Sequence, residues 1–139
     1  MAKDTTLREV VLLPFQDISD YRGELYVIEG ASHVPFEVKR VFWITSLPQD
    51  IVRGGHAHLG CHQFIVALKG RLDVIVDDGR EKRTVRLDRP TEGLYVPPGV
   101  WAREEAFSED VLYLVLASDH YDEEDYIRDY QAFLRYKND

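Results

Sequence analysis

Residues 52–70 read V-R-G-G-H-A-H-L-G-C-H-Q-F-I-V-A-L-K-G, and this stretch decides how the rest of the chain is understood. His56 and His58 stand at i and i+2. On a β-strand that spacing puts both imidazoles on one face, because side chains alternate with period 2. Gly54 and Gly55 just before them permit a tight backbone approach or a positive φ. Gln63 to Leu68 then reads as a mostly apolar, buried strand closed by Lys69-Gly70. Two imidazoles presented from a strand over an apolar floor either move protons or hold a metal.

Composition narrows the field. The 139 residues predict a single domain, 1–139, with 45% hydrophobic and 12% aromatic content, ordinary for a globular protein. With 25 acidic against 17 basic residues the net charge is −8, and no basic run exists to displace counterions from phosphates. Nucleic acid is therefore excluded as an expected partner. One cysteine, Cys61, permits no internal disulfide and fits a reducing compartment. The first residues lack the apolar core of a signal peptide and no apolar run approaches membrane-spanning length, so the expectation is a cytoplasmic chain without membrane contact.

Outward from the histidines the period is that of strands. Residues 7–15 and 24–29 read as the first two, 36–45 alternates, and 70–76 leads into Asp77-Asp78-Gly79-Arg80, a hairpin signal. Residues 81–87, 94–96 and 111–117 continue the series, while the stretch after Trp101 is polar. From Asp122, read as an N-cap, Tyr126-Ile127, Tyr130 and Phe133-Leu134 recur at helical spacing. About nine short strands and one terminal helix predict an all-β antiparallel barrel or double-sheet jelly roll.

The spacing of Gly55, His56-x-His58, Gln63 and Gly70 resembles the first cupin motif, and Gly93…Pro97-Pro98-Gly99-Val100-Trp101-Ala102 resembles the second. Glu is usual where Gln63 stands, and a metal-binding His where Ala102 stands. Two imidazoles and an amide are a poor first shell for zinc, iron or manganese unless His62 or an outside carboxylate joins. The expectation is no metal and no cofactor.

A more specific resemblance spans about 120 residues. I-E-G (28–30), P-F-E-V-K-R-V-F-W-I (35–44), R-G-G-H-A-H (53–58), D-D-G (77–79), G-L-Y-V-P-P-G-V-W (93–101), L-V-L-A-S (114–118) and Y-D-E-E-D-Y-I-R-D-Y (121–130) are similar to the FdtA/WxcM-like family of sugar 3,4-ketoisomerases. That resemblance implies a cupin (RmlC-like) jelly roll and a homodimer that exchanges N-terminal strands. It also implies a dTDP-4-keto-6-deoxyglucose-type substrate, used in making deoxyamino sugars for surface polysaccharides. By resemblance His56 is the carbon base and His58 passes a proton between oxygens, work suited to groups whose ordinary pKa is about 6.5.

Further candidates surround the pair. Arg40, Arg53 and Arg22 are the cations available to a diphosphate, since a guanidinium matches phosphate with two parallel hydrogen bonds. Arg40 shares the inward parity of Phe42, and Arg53 leads into the glycines. Tyr95 and Trp101 flank the Pro-Pro-Gly turn, where an aromatic ring could stack on base or sugar. Gln63 is a candidate to bond substrate or orient a histidine. Two positions depart from the family pattern: Phe42 replaces a frequent tyrosine, and Ala102 replaces His or Arg. The resemblance implies that the positions of Arg22 and Ala102 bear on the C4 epimer formed, and this mixed pair leaves product stereochemistry open. An epimerase on the same scaffold and a non-catalytic nucleotide-sugar binding domain are the alternatives.

Overall fold

The computed structural model describes residues 1–139. Two five-stranded antiparallel sheets face each other. The strands are β1 (Val11–Pro14), β2 (Gln16–Asp17), β3 (Tyr26–Val27), β4 (Arg40–Thr45), β5 (Arg53–His58) and β6 (Gln63–Lys69). They continue with β7 (Leu72–Asp77), β8 (Lys82–Leu87), β9 (Glu92–Val96), β10 (Trp101–Glu105), β11 (Leu112–Ala117) and β12 (Tyr126–Ile127), before helix α1 (Tyr130–Asn138). One sheet has the order β1-β9-β6-β11-β4 and the other β12-β5-β10-β7-β8; β2 and β3 form a separate hairpin. This is the jelly roll expected from the strand count and the terminal helix.

The alternation along each strand sorts side chains into an interior and an outer layer. Ile65, Ala67, Val74, Val76, Leu94, Val96, Tyr113 and Val115 fill the space between the sheets. On the outside of the first sheet, Phe64, Val66 and Leu116 pack under Val34 and Phe36. Strand β6 is thus buried on both faces, which explains its unbroken apolar run. Gly93 is glycine because any Cβ there would run into the Phe64 ring.

The Asp-Asp-Gly hairpin forms as predicted. Asp77 Oδ1 accepts the Gly79 N–H at 2.7 Å, Asp78 Oδ1 accepts the Arg80 and Glu81 N–H groups at 2.9 Å, and Gly79 takes φ 93°. Three elements differ from their sequence reading. Leu7–Glu9 is a 3₁₀ turn, closed by a capping box between Thr6 and Glu9, so the first strand begins only at Val11. The T-x-x-E signature was present but masked by the apolar run that follows. The polar stretch after Trp101 is strand β10, its polarity concealing an alternation with Ala102 and Glu104 facing in. Asp122 caps a 3₁₀ turn, not the helix; the chain then pairs with β5 as β12, and Asp129 caps α1 by accepting the Ala132 N–H at 2.9 Å. Pairing with an open sheet edge satisfies the backbone of Tyr126-Ile127 and overrides the helical period.

Candidate active site

Strand β5 carries His56 and His58 on the face that looks between the sheets, while Ala57, fully buried, faces the other way. Their rings meet edge to face at 5.0 Å. Positive φ at Gly54 and Gly55 (76° each) shapes the strand that delivers them. The loop after β5 and the segment 121–128 then close over the pair.

His58 is held by a residue far along the chain. Its Nδ1–H donates to Asp125 Oδ2 at 2.9 Å. Asp125 also accepts the Gly60 N–H at 2.7 Å and the Cys61 N–H at 3.3 Å. This bond leaves His58 with Nε2 bare and turned into the interior, buried and without a partner. Burial lowers the His58 pKa, and the Asp125 carboxylate opposes that shift. His56 is pushed down to about 4, chiefly by burial, with His58 and Arg128 adding to it. Both rings are therefore neutral bases near neutral pH.

Tyr126 packs against both imidazoles, 4.9 Å from His56 and 4.4 Å from His58 between ring centroids. Arg128 lies over its outer face at 4.2 Å and is paired with Glu123, whose carboxyl it holds well below the usual range. Arg40 enters from β4 with its guanidinium between the Phe42 and Tyr121 rings, at 5.4 and 5.6 Å. Four buried side-chain nitrogens or oxygens have no hydrogen-bond partner: Arg40 Nε, His56 Nδ1, His58 Nε2 and the Tyr113 hydroxyl. All four belong to residues facing the barrel interior. Buried polar groups are nearly always satisfied, so unpartnered ones along the interior mark a place built for a polar ligand.

The structure gathers some sequence candidates and disperses others. Arg40, Phe42, Gln63 and Ala102 join the histidines on inward positions, and Ala102 stands directly across the β5–β10 ladder from His56. Arg53 opens β5, opposite Glu104. Beyond it a cavity of about 700 Å³ lies at the end of the barrel, lined by Leu47, Ile51, Val52, Glu105 and Phe107 among others. Tyr95 points to the outer layer, where its hydroxyl bonds His62 Nδ1 at 2.7 Å and its ring neighbours Phe36. Trp101 also faces outward, against Tyr130 and Phe133 beneath α1. Both flank the Pro-Pro-Gly turn as expected, but strand parity turns them away from the histidines. Arg22 sits on the turn of the β2–β3 hairpin, exposed and ion-paired with Asp20 at 2.6 Å.

His58, Cys61 and Asp125 bring three possible metal-ligand atoms within 4.8 Å. All three are already used as hydrogen-bonding groups: Asp125 by three donors, His58 by Asp125, and the thiol toward the His62 carbonyl at 3.4 Å. The positions where the cupin pattern puts its other ligands carry an amide, Gln63, and a methyl group, Ala102. This donor set suits an oriented imidazole better than an ion.

Asp125 and Tyr126 were not singled out in the sequence. Asp125 resembled a first-turn helix acid, and only the pairing of β12 with β5 brings it to a histidine 67 positions away. The motif at 121–130 was the available signal, since it ties acids and tyrosines into one fixed block.

Known proteins with this arrangement agree with one another. A family model described as FdtA: WxcM-like, C-terminal matches residues 8–138. The chain is 45% identical over 125 residues to a TDP-4-oxo-6-deoxy-alpha-D-glucose-3,4-oxoisomerase from Aneurinibacillus thermoaerophilus, covering 90% of each chain. It superposes with a TM-score of 0.92 and 40% identity on the sugar 3,4-ketoisomerase QdtA from Thermoanaerobacterium thermosaccharolyticum in complex with TDP, covering 96% of this chain and 97% of that one. The TDP-fucose-3,4-ketoisomerase WlaRA from Campylobacter jejuni superposes with a TM-score of 0.89 at 36% identity, covering 94% and 96%. The resemblance carried by the seven sequence motifs therefore holds across the fold, and this chain belongs to the FdtA, WxcM-like family.

Proposed function

We propose that this protein is a sugar 3,4-ketoisomerase, moving the keto group of a dTDP-linked 4-keto-6-deoxyhexose from C4 to C3. The observation that carries this reading is the pair of neutral imidazoles inside the barrel, one oriented by Asp125, in a fold shared along almost its whole length with ketoisomerases. The C4 ketone acidifies the hydrogen on C3. His56 takes that proton, giving an enediol(ate) across C3 and C4. His58 collects the proton from the C3 oxygen and passes it to the C4 oxygen. Return of a proton to C4 leaves the ketone at C3. A shuttle is charged while it holds the proton, and Asp125 stabilises that imidazolium. No step needs a metal or an external oxidant, because the substrate is oxidised at C3 and reduced at C4.

Arg40 and Arg53 are the cations for the diphosphate, with Gln63 and Phe42 framing the sugar. Arg22 reaches a site in a homodimer. The β2–β3 hairpin pairs with neither large sheet and exposes Ile18, Leu25 and 96% of Tyr21. The outer face of β4 adds exposed Val41 and Trp43. Strand β1 already pairs with β9 of its own chain, so the hairpin is the element to exchange. An apolar surface of this kind calls for a partner, and a second copy also brings Arg22. No helix is long and apolar enough to cross a membrane; with a nucleotide-sugar substrate and one cysteine, the proposed location is the cytoplasm and the pathway that of surface deoxyamino sugars.

The direct test of catalysis is solvent exchange. Incubated in D₂O with the full-length protein, the substrate should gain one carbon-bound deuterium, measured by mass spectrometry, after exhaustive chelation as before it. Binding without deuterium uptake would make the protein a nucleotide-sugar binding domain.

A further inference from the structure

We propose that Glu104 faces the substrate and donates a hydrogen bond from its carboxyl to an oxygen of the sugar, making it a specificity residue of this site. The inference rests on the ketoisomerase reading and adds a residue to it. On β10, Ala102 and Glu104 alternate inward with outward Trp101 and Arg103. Ala102 lies across from Val76 and Glu104 across from Val74, both fully buried in the interior. On the other side Ala102 meets His56, so Glu104 is ~7 Å further along the barrel wall from the residue opposite the proposed base.

Space has been made for this carboxyl. It lies over Gly54, where any Cβ would overlap Glu104 Oε2, and Gly54 holds φ 76°. An irregularity in the β5–β10 register between Ala102 and Arg103 accompanies the arrangement. Despite its position Glu104 makes no hydrogen bond and no ion pair within the chain: Arg53, its register partner, comes within its field but not within 4.0 Å. Beside them the Tyr113 hydroxyl, on a fully buried side chain of β11, also lacks a partner. The half-buried Glu104 carboxyl and the buried Tyr113 hydroxyl, with the exposed Arg53 beside them, offer donors and acceptors to a hydroxyl- or carbonyl-bearing ligand. The Glu104 carboxyl is only half-buried and has no hydrogen-bond or ion-pair partner in the chain, so it contributes no fold-holding contact and is free to meet a ligand.

The groups facing Glu104 are Arg53 from β5 and Tyr113 from β11, while β7 presents Val74. Burial raises the Glu104 carboxyl to about 7, with Arg53 acting against it. Below about 7 it is therefore mainly a donor, and at higher pH an acceptor that repels an enediolate.

The test compares wild type, Glu104→Gln and Glu104→Met in steady-state ketoisomerase assays from pH 5.5 to 8.5, with thermal unfolding of each. Wild type should lose kcat/KM as pH rises through about 7. Glu104→Gln, which donates but does not titrate, should be slowed a few-fold at pH 6 and lack that decline. Glu104→Met should raise KM roughly 3–10-fold, the loss of one hydrogen bond, while unfolding at a higher temperature than wild type. An unchanged decline in Glu104→Gln, or a wild-type KM in Glu104→Met, would overturn the role of Glu104 with the ketoisomerase reading intact. A wild-type protein that forms no 3-keto product would overturn both.

Discussion

The Nδ1–H of His58 donates to Asp125 Oδ2 at 2.9 Å, so the orientation of one imidazole is fixed by the segment that closes the barrel. Asp125→Asn keeps the size of the side chain and removes its charge. Turnover should fall by one to two orders of magnitude, at the low end of acid–base effects, with KM changed only a few-fold. A loss confined to KM would assign Asp125 to substrate binding. Asp125→Ala should also destabilise the fold by about 1–3 kcal/mol, since the Gly60 and Cys61 N–H groups lose their acceptor.

His56→Asn should abolish turnover, by about 10²–10⁴-fold, and leave nucleotide-sugar binding in place, as isothermal titration would show. More than half of the wild-type kcat would remove His56 from the role of carbon base.

The same residue predicts a pH effect on stability. The folded-state pKa of His56, about 4, lies below its unfolded value near 6.5. Between those values the unfolded chain binds the proton and the folded chain does not, so stability is full above about 6.5 and declines as pH falls toward 4. Chemical denaturation at pH 7.5 and 4.5 should show a smaller difference in His56→Asn than in wild type. Equal differences would place the acid sensitivity elsewhere.

Ala102 faces His56 across the ladder and leaves room beside the reacting carbon. Ala102→His should raise the rate or shift the ratio of C4 epimers while affinity stays within a few-fold. Product NMR showing an identical rate and epimer ratio would mean that this side chain does not reach C4.

Charging the hairpin with Ile18→Glu and Leu25→Glu should convert the proposed dimer to a monomer in sedimentation velocity and remove activity, because Arg22 no longer reaches a neighbouring site. An active monomer would make the hairpin dispensable.

Local pattern made much of this fold legible. Alternation at 36–45 placed Arg40 and Phe42 inward, the Asp-Asp-Gly turn formed its hairpin, and the H-x-H spacing put both imidazoles on one face. The failures arose where tertiary contacts outweighed local signals. Tyr126-Ile127, Tyr130 and Phe133-Leu134 have helical spacing, yet the free edge of β5 captures Tyr126-Ile127 as a strand, and that capture delivers Asp125 and Tyr126 to the histidines. Strand β10 was hidden because one of its inward residues is a glutamate. Tyr95 and Trp101 sit beside the turn where the sequence put them, but strand parity sends both rings to the outside.

The central claim is tested most directly by ¹H and ¹³C NMR of dTDP-4-keto-6-deoxyglucose incubated with the full-length protein in D₂O. The account predicts that the carbonyl signal moves from C4 to C3 and that deuterium appears at C4. A carbonyl that stays at C4, with or without inversion at a neighbouring carbon, would contradict it.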